Sequence, residues 1–452
     1  MPETPNLACL VREKRGCDRV IATRDHVLPL DEFEVASSLS AHLASLRERS
    51  VVLIVRDMAK AAAALIDLDG WARRIVLCPP EWELARLESA ARDAEADALV
   101  FDGDVSAPPI PVELAASCRL PLEKLETPRA ACCETEWILP TSGTSGPPKL
   151  VIHTLRSLMG AIADAPLQHW ATFYDIRRYG GLQIFLRAVS GQGSLSLGGD
   201  GESVGSLLSR FGAARITHIS GTPSHWRKVL MSREGGRIDP DYLRLSGEIA
   251  DNAVLGALQA LYPRARIEHA YASTEAGVVF AVDDGRAGFP ASWLDGDSAV
   301  QMRVAEGSLR VRSDRCALRF LGANAPPIAD KDGFVDTGDI VDRRGDRLYF
   351  VGRRSGIINV GGVKVHPEEV EAALNAHAAV RVSRVFARKS SITGALVFAD
   401  VVLRDGRMPD AASERQILAA CRTRLPPHMV PAGLRFVSDL PVTDGGKLAR
   451  HG

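Results

Sequence analysis

The sequence predicts an α/β protein: a large N-terminal domain of doubly wound sheets plus a small barrel (residues 1–353), and a small C-terminal α+β domain (residues 354–452). In the first half of the chain, short apolar runs alternate with helical stretches, which is typical of parallel sheets covered by helices. Between residues 300 and 350, short strands alternate with turns rich in Gly and Asp, which favours an antiparallel barrel or sheet. The roughly 100 residues after Arg354 have an α+β pattern and are enough for a separate small domain.

The N-terminal region shows a β-α-β-α-β order, which predicts a parallel sheet. Three apolar runs are expected to be strands: Val51–Val55, Arg74–Cys78 and Ala98–Phe101. Helices are predicted between them, over Ala59–Leu68 and around Glu81–Ala94. The segment Asp102–Leu122 is rich in Pro and Ala and is interpreted as a connection.

The middle of the chain continues this alternation. Leu150–His153 is predicted to be a strand that directly follows a Gly-rich loop. Ile216–Ser220 and Ala265–Ala270 are further strand candidates, and a helix is predicted over Ala253–Leu261.

The C-terminal part begins with a helix at His366–Glu371, because Pro suits the first helical position and acidic residues suit the first turn. The next predicted element is a hairpin of Val380–Ala387 with Ala395–Leu403. A helix over Glu414–Leu425 and a strand over Leu434–Val437 are predicted after it.

Composition excludes several classes of function. The chain has 452 residues, 46% of them apolar and 25% charged, with a net charge of -1, so no basic field favours nucleic acid. No apolar stretch is long enough to span a membrane, and the N-terminus does not resemble a signal peptide. The eight cysteines form no C-x-x-C pair, which indicates neither a zinc site nor a disulfide framework. A cytoplasmic, reduced enzyme is expected.

The segment from Thr141 to Lys149 is the most informative motif. Residues 141–148 are all Gly, Pro or hydroxyl-bearing residues, and a lysine follows. Glycines expose backbone N–H groups, hydroxyls add donors and the lysine adds a positive charge, which together suit a polyphosphate. The spacing is not that of a Walker loop, and taken alone the segment could equally be a flexible linker.

Four further segments follow in a fixed order: Tyr271–Glu275, Asp336–Asp339, Gly352–Arg353 with the stretch to Glu371, and Pro441–Lys447. With the loop, this set resembles the core motifs of the adenylate-forming superfamily, which includes acyl- and aryl-CoA synthetases, nonribosomal adenylation domains and luciferases. The resemblance extends from about Leu139 to Arg450. It implies a chain that joins a carboxylic acid to AMP and then to a thiol.

The resemblance also implies the roles of single residues. The loop (Thr141, Ser142, Gly143, Thr144, Ser145, Gly146, Lys149) would hold the β- and γ-phosphates of ATP. Tyr271 would lie against the adenine, with Ser273 beside it, Thr274 on the α-phosphate and Glu275 on Mg²⁺. Gly247 and Glu248 belong to a small-residue loop that would line the adenine. Taken in isolation, Tyr271 would be interpreted as core packing and Glu275 as a solvated acid.

Asp339 would accept hydrogen bonds from both ribose hydroxyls, since a carboxylate has two oxygens for a vicinal diol, although Thr-Gly-Asp is also turn chemistry. Arg353 would contact the ribose or a phosphate. Lys447, in a Gly-rich loop, would be the cation at the transition state, although a lone Gly-Gly-Lys would be interpreted as an exposed tail. In the resembled family the small domain is mobile and adopts two orientations about a hinge, at a position that here holds Ser355 in place of the usual Asp or Lys.

The acid pocket is the least readable region of the sequence. By resemblance it would be lined by Phe173, Tyr174, Tyr179, Gly180 and Thr222. Arg177 or Arg178 could meet a second polar group on the acid, although a solvated arginine is the simpler interpretation.

These observations predict an ATP- and Mg²⁺-dependent ligase that transfers an acyl group, from an aryl or medium-size acid, to CoA or to the phosphopantetheine of an acyl carrier protein. An adenylating enzyme with an amine acceptor remains an alternative, as do a non-catalytic nucleotide-binding relative and a docking domain of a larger synthase. The residues leave open the identity of the acid, the choice of thiol and the oligomeric state.

Overall fold

The computed structural model describes most of the chain, and every statement below concerns these residues: 6–14, 16, 18–126, 131–141, 149–159, 167–199, 201–296, 298–322, 324–360, 363–390, 394–404 and 410–440.

The first sheet has seven strands and contains the predicted β-α-β-α-β unit. In spatial order its strands are Arg319–Phe320, Leu150–His153, Glu136–Pro140, Arg74–Leu77, Ser50–Ile54, Ala98–Asp102 and Leu114–Cys118. The strands at Ser50, Arg74 and Ala98 are parallel, as predicted, and their connections contain the helices Met58–Leu68 and Leu84–Asp93. The prediction of a connection over Asp102–Leu122 was wrong in part, because Leu114–Cys118 pairs in parallel with Ala98–Asp102. Its Leu-Ala-Ala-Ser-Cys sequence lacks the β-branched residues that mark strands, and the pairing depends on burial of Ala116 and Cys118.

The second sheet has eight strands: Gly277–Val282, Arg266–Ser273, Tyr242–Ser246, His218–Gly221, His169–Thr172, Ser194–Leu197, Val20–Ala22 and Val27–Pro29. Five of its neighbouring pairs are parallel. The helices that connect these strands are Tyr179–Ser190, Val204–Ala213, Pro223–Met231 and Asn252–Leu261. In parallel sheets the carboxyl ends of the strands meet at one edge, where ligands commonly bind, and Gly221, Ser246 and Ser273 end their strands there.

A third, antiparallel sheet confirms the strand prediction for residues 300–350. Its five strands are Phe289–Pro290, Arg347–Arg353, Val335–Arg344, Ser308–Arg312 and Gln301–Ala305. Leu7–Glu13 and Leu155–Met159 are short helices, and Ala36–Ser37 pairs with Glu123–Lys124.

The C-terminal residues form an α+β unit with its own apolar cluster, which includes Val365, Val370 and Ile417. Its elements are Ile358–Val360, Val363–Val365, the helix Pro367–Asn375, the hairpin Val380–Ser390 with Gly394–Leu403, the helix Ala411–Arg422 and the strand Gly433–Phe436. Pro367 occupies the start of the first helix, as predicted. This α/β and α+β arrangement confirms the predicted fold class.

None of the helices among the described residues combines the length and apolarity needed to cross a membrane. Seven cysteines lie among these residues and all are free. The same residues contain no group of three or more His, Cys, Asp or Glu side chains that could bind a metal ion.

Candidate active site

The ends of the Thr141–Lys149 segment are held together by the first sheet. Glu136–Pro140 and Leu150–His153 form an antiparallel pair, and the Thr141 N–H donates to the Lys149 carbonyl at 2.8 Å. The Lys149 ammonium lies 4.9 Å from the ring centroid of Phe320 on the neighbouring strand, a cation–π distance. Ser142, Gly143, Thr144, Ser145 and Gly146 lie outside the described residues.

His153 joins this strand to the turn that follows Tyr271. The imidazole is fully buried; its Nε2 lies 2.7 Å from the Thr274 carbonyl oxygen and its Nδ1 lies 2.9 Å from Ser157 Oγ. Burial lowers the pKa of His153 to about 4, so the ring is neutral at pH 7. Because a carbonyl only accepts, the network assigns the proton to Nε2. The sequence analysis did not select His153, although a histidine that ends an apolar strand beside a phosphate-type loop is a usable signal.

The turn after Tyr271 is compact and leaves one carboxylate available. Ser273 Oγ accepts from the Ala276 N–H at 3.0 Å, and Thr274 is buried. Gly277 has φ +73°, and a Cβ there would lie 2.3 Å from the Arg315 carbonyl oxygen, so only glycine fits. The Glu275 backbone carbonyl accepts from the Ala317 N–H at 2.9 Å, whereas its carboxylate has no hydrogen bond or ion pair with any described residue.

Tyr271, Asp339 and Arg353 meet in one network. The Tyr271 hydroxyl donates to Asp339 Oδ2 at 2.5 Å, and Arg353 Nε donates to Asp339 Oδ1 at 2.8 Å. Burial and then the Asp339 charge raise the pKa of Tyr271, so the phenol keeps its proton and donates it. Burial disfavours the charged form of Arg353, but the attraction of nearby groups, above all the Asp339 carboxylate, is the larger effect in total, so the pKa of the guanidinium is raised.

Strand pairing explains why Tyr271, Asp339 and Arg353 lie close together. Asp339 and Arg353 are directly opposite each other in the third sheet, and Tyr271 lies near the end of a strand of the second sheet. The Tyr271 ring stacks on Phe350 with centroids 4.4 Å apart, and Phe280 lies 5.5 Å away. Aromatic packing between the two sheets therefore fixes the position of the phenol.

Gly247 and Glu248 lie at the end of the strand Tyr242–Ser246. Glu248 accepts from the Ser224 N–H at 2.8 Å and from Ser224 Oγ at 3.0 Å, at the first turn of the helix Pro223–Met231. A carboxylate there interacts favourably with the positive end of the helix dipole. Gly247 has φ +83°, which favours glycine and turns the chain at the carboxyl edge.

A small cleft, open to solvent, lies between the helix Tyr179–Ser190 and the second sheet. Its lining residues are Tyr179, Gly180, Gln183, Ile184, Arg187, Ser220, Arg244, Ser246, Ala272 and Val278. Ala272 connects the cleft to the turn described above, because it lies between Tyr271 and Ser273.

The predicted pocket residues divide into two groups. Tyr179 and Gly180 line the cleft, whereas Phe173, Tyr174 and Thr222 are not among the described residues that line it. Tyr174 packs behind Gly180 and donates from its hydroxyl to the Ser246 carbonyl at 2.7 Å. Thr222 caps the helix Pro223–Met231, and Phe173 stacks on His225 of that helix.

Neither arginine considered for a second polar group of the acid is among the described residues that line the cleft. Arg177 is buried, binds Asp175 at 2.8 Å and donates to the carbonyl oxygens of Val55 and Arg56. Arg178 forms an ion pair with Glu81. The arginines that line the cleft are Arg187 and Arg244, which the sequence analysis missed because their positions depend on tertiary packing.

The chain matches two family models and is similar to several known proteins. Residues 34–298 match the model of the AMP-binding enzyme family, and residues 369–447 match that of the AMP-binding enzyme C-terminal domain. An isonitrile lipopeptide synthase of Streptomyces coeruleorubidus is 28% identical over 348 residues, which are 70% of this chain and 23% of that protein. A probable CoA ligase of Humulus lupulus is 27% identical over 359 residues, 69% of this chain and 61% of that protein. The chain therefore spans less than two thirds of each of these relatives.

A solved structure shows the same fold over the whole chain. The crystal structure of an anthranilate CoA ligase in complex with anthranoyl-AMP has a TM-score of 0.80 and 18% sequence identity. The match covers 100% of this chain and 96% of that one. At this identity the likeness concerns the fold, with its large N-terminal and small C-terminal domains.

The buried histidine leads to a prediction about pH. The pKa of His153, and that of His225, are lowered to about 4 in the folded chain, from about 6.5 in the unfolded one. The unfolded chain therefore binds protons first as the pH falls, so the free energy of unfolding is highest above about pH 6.5 and decreases towards pH 4. His153→Gln should lower the free energy of unfolding at pH 7 by about 1–3 kcal/mol, because Thr274 and Ser157 lose buried partners.

Denaturant unfolding of wild type and His153→Gln between pH 4 and 7.5 measures both effects. The variant should show a shallower decrease of stability with falling pH, because it lacks one of the histidines whose pKa is lowered by burial. His26→Gln, at a partly exposed histidine, controls for the loss of an imidazole. An identical slope in wild type and His153→Gln would contradict the assignment.

Proposed function

The chain belongs to the adenylate-forming superfamily of AMP-binding enzymes, and we propose that it is an ATP-dependent carboxylic acid ligase. It forms an acyl-AMP and then transfers the acyl group to the thiol of CoA or of a carrier-protein phosphopantetheine. The strongest support is the network of Tyr271, Asp339 and Arg353, which lies one residue from the cleft that Ala272 lines.

The proposed chemistry has two steps. In the first, a carboxylate oxygen attacks the α-phosphorus of ATP, a C–O–P linkage forms and the bond to the β-phosphate breaks, which releases pyrophosphate. In the second, a thiolate attacks the acyl carbon, a thioester forms and AMP leaves. Both reactants of the first step are anionic, so the site must neutralise charge and align the attack.

The nucleotide is proposed to bind across the ends of the second and third sheets. Each oxygen of Asp339 accepts one described hydrogen bond and retains a lone pair, which suits the two ribose hydroxyls. Gly247 and Glu248 would border the adenine, through their backbone because the Glu248 side chain already binds Ser224. Ser273 and Thr274 would face the α-phosphate, and Thr141 and Lys149 would begin and end the segment that binds the other phosphates.

The chemistry of Glu275 fits a magnesium ion. Its carboxylate is partly exposed and has no partner among the described residues, and Mg²⁺ is commonly bound by one or two carboxylates together with substrate phosphates. When bound, the ion would neutralise phosphate charge. A site of this kind needs no cluster of three acidic or histidine ligands.

The domain boundary is proposed at residues 353 and 354, with Ser355 as the hinge. Ser355 lies in a one-turn 3-10 helix, Arg354–Gly356, which directly follows Arg353. The C-terminal part contacts the third sheet nearby, since Arg344 binds Glu369 at 3.2 Å and a Cβ on Gly352 would lie 2.4 Å from Glu368 Oε2. A rotation at this turn would present different groups for the two steps.

The free cysteines and the proposed substrates fit a cytoplasmic enzyme.

Acid-dependent exchange of pyrophosphate into ATP, over a panel of acids, tests the first step. Consumption of the acyl-AMP by CoA, pantetheine or an amine identifies the acceptor. The absence of exchange with every acid would overturn the proposed function.

Lys447 lies outside the described residues and is proposed, from the superfamily motif, as the cation at the adenylation transition state. Lys447→Ala should reduce exchange by about 10²–10³, because one preorganised charge contact is lost, with nucleotide affinity nearly unchanged. Exchange kinetics and ATP binding are measured separately, with Lys389→Ala, an exposed lysine, as the control. Wild-type exchange in Lys447→Ala would remove this lysine from the mechanism.

Asp339→Ala should weaken binding of ATP and AMP, with a smaller loss for analogues that lack one ribose hydroxyl, because a contact to the diol disappears only where the diol exists. Calorimetric titration of the two nucleotide types measures the difference. Asp342→Ala, at an exposed carboxylate of the same strand, should leave affinity unchanged. Equal losses for both nucleotide types would be evidence against the ribose role.

Glu275→Gln should raise the Mg²⁺ concentration needed for half-maximal exchange, because a neutral amide keeps the shape but is a weaker ligand for a hard cation. Magnesium titrations of the exchange rate show the shift. Glu306→Gln, at an exposed glutamate, is the matched control. An unchanged magnesium dependence would contradict the proposed role.

A further inference from the structure

The cleft beside Ala272 has an excess of positive charge. Arg187 and Arg244 line it, and Arg315 is close enough to affect both Arg187 and Tyr179 electrostatically. Of these three guanidinium groups, Arg244 forms a buried ion pair with the carboxylate of Glu268. The local balance is therefore positive.

Arg187 is the arginine that remains available. No described residue gives it a hydrogen bond or an ion pair, in contrast to Arg244, which binds Glu268 and, at 3.2 Å, the Tyr242 hydroxyl. Desolvation by the surrounding protein, followed by the positive charge of Arg244, lowers the pKa of Arg187. The Arg187 residue is nevertheless exposed, so its guanidinium is hydrated and also accessible to an anion that enters the cleft.

Two buried hydroxyl groups of the cleft also lack partners. Tyr179 Oη and Ser220 Oγ are buried and make no hydrogen bond with any described residue, although both residues line the cleft. Unsatisfied buried polar atoms are rare in native proteins and are commonly satisfied by a ligand or an ordered water. These two hydroxyls can donate to the same polar ligand that Arg187 attracts.

Helix and strand periodicity give the direction of the cleft. Gly180, Gln183, Ile184 and Arg187 share one face of the helix Tyr179–Ser190, because their spacing is i, i+3, i+4 and i+7. Ser246 and Arg244 are two residues apart on the facing strand, which separates them by about 7 Å along the sheet. The cleft therefore runs from the nucleotide end, at Ser246 and Ala272, to the arginine end.

We propose that the acid substrate is a dicarboxylic acid: its reactive carboxylate lies near Ala272, and its second carboxylate is bound by Arg187 at the other end of the cleft. The hydroxyls of Tyr179 and Ser220 complete the binding of the acid. This inference rests on the proposed ligase function and adds the class of substrate. A planar guanidinium can bind a carboxylate through two parallel hydrogen bonds, which gives both affinity and orientation.

Two simpler interpretations of Arg187 are a solvated surface arginine and a partner of the reactive carboxylate. Arg187 is exposed to solvent, but it also lines a cleft with Arg244 and with two buried hydroxyls that have no described partner, which a purely solvated arginine would not require. Neutralisation of the reactive carboxylate itself would require the arginine at the nucleotide end, whereas Arg187 lies seven residues along the helix from Gly180, about 10 Å away.

The experiment compares matched acids in pyrophosphate exchange: benzoate with terephthalate, and hexanoate with adipate. In each pair the second acid adds a distant carboxylate to the same skeleton. Wild type should use at least one diacid with a kcat/KM more than about 10-fold above its monoacid partner, since charge-assisted pairing favours the anionic substituent. Monoacids that match or exceed both diacids would overturn the inference and leave the proposed function intact, whereas failure of all four acids would contradict both.

Two variants assign the preference to Arg187. Arg187→Met should reduce kcat/KM for the diacid more than about 10-fold, mainly through KM, and change that for the monoacid less than about 3-fold. Arg187→Lys should retain part of the preference, which excludes loss of folding as the cause. Arg86→Met, at an arginine that packs on Trp82 outside the cleft, is the control. A diacid preference that persists in Arg187→Met would overturn the assignment.

Discussion

The hydrogen bond between His153 and the Thr274 carbonyl is the interaction on which the site depends. It joins the last residue of a strand in the first sheet to the turn that ends a strand in the second sheet. The segment after Arg315 reinforces the junction, because the Ala317 N–H donates to the Glu275 carbonyl and the Leu318 N–H donates to the Ile152 carbonyl. The base of the phosphate-type loop and the turn with Glu275 are thus fixed relative to each other before any ligand binds. Preorganisation of this kind lowers the reorganisation that catalysis would otherwise require.

A second junction, between the second and third sheets, positions the carboxylate of Asp339. Tyr271 contributes both a ring that packs on Phe350 and a hydroxyl that binds Asp339. A phenylalanine at position 271 would keep the packing on Phe350 but would remove the hydrogen bond to the Asp339 carboxylate, which would then retain its bond from Arg353. The tyrosine therefore has a structural role that the sequence motif does not reveal, and the adenine role proposed for it involves the same side chain.

The sequence was informative where chemistry depends on local pattern. The parallel unit around Val51 and the helix that begins at Pro367 follow from spacing and residue type, and the structure agrees with both. Contacts between distant segments were not predictable in this way. Nothing local distinguishes Arg177, which binds Asp175 and two carbonyl oxygens, from Arg187, which faces the cleft. The strand Leu114–Cys118 was missed for the same reason, since its strand character comes from pairing with Ala98–Asp102.

Charge is distributed unevenly between the two halves of the site, and this bears on how one acid would be selected. At the end proposed to bind the nucleotide, Arg353 is already paired with Asp339, so it adds little net attraction for a carboxylate. At the far end, Arg187 is unpaired among the described residues and lies beside Arg244. A monoacid that reached neither hydroxyl would leave the buried Tyr179 and Ser220 groups unsatisfied, which disfavours it independently of any gain for the diacid. Selectivity would then come as much from the cost of the wrong ligand as from the binding of the right one.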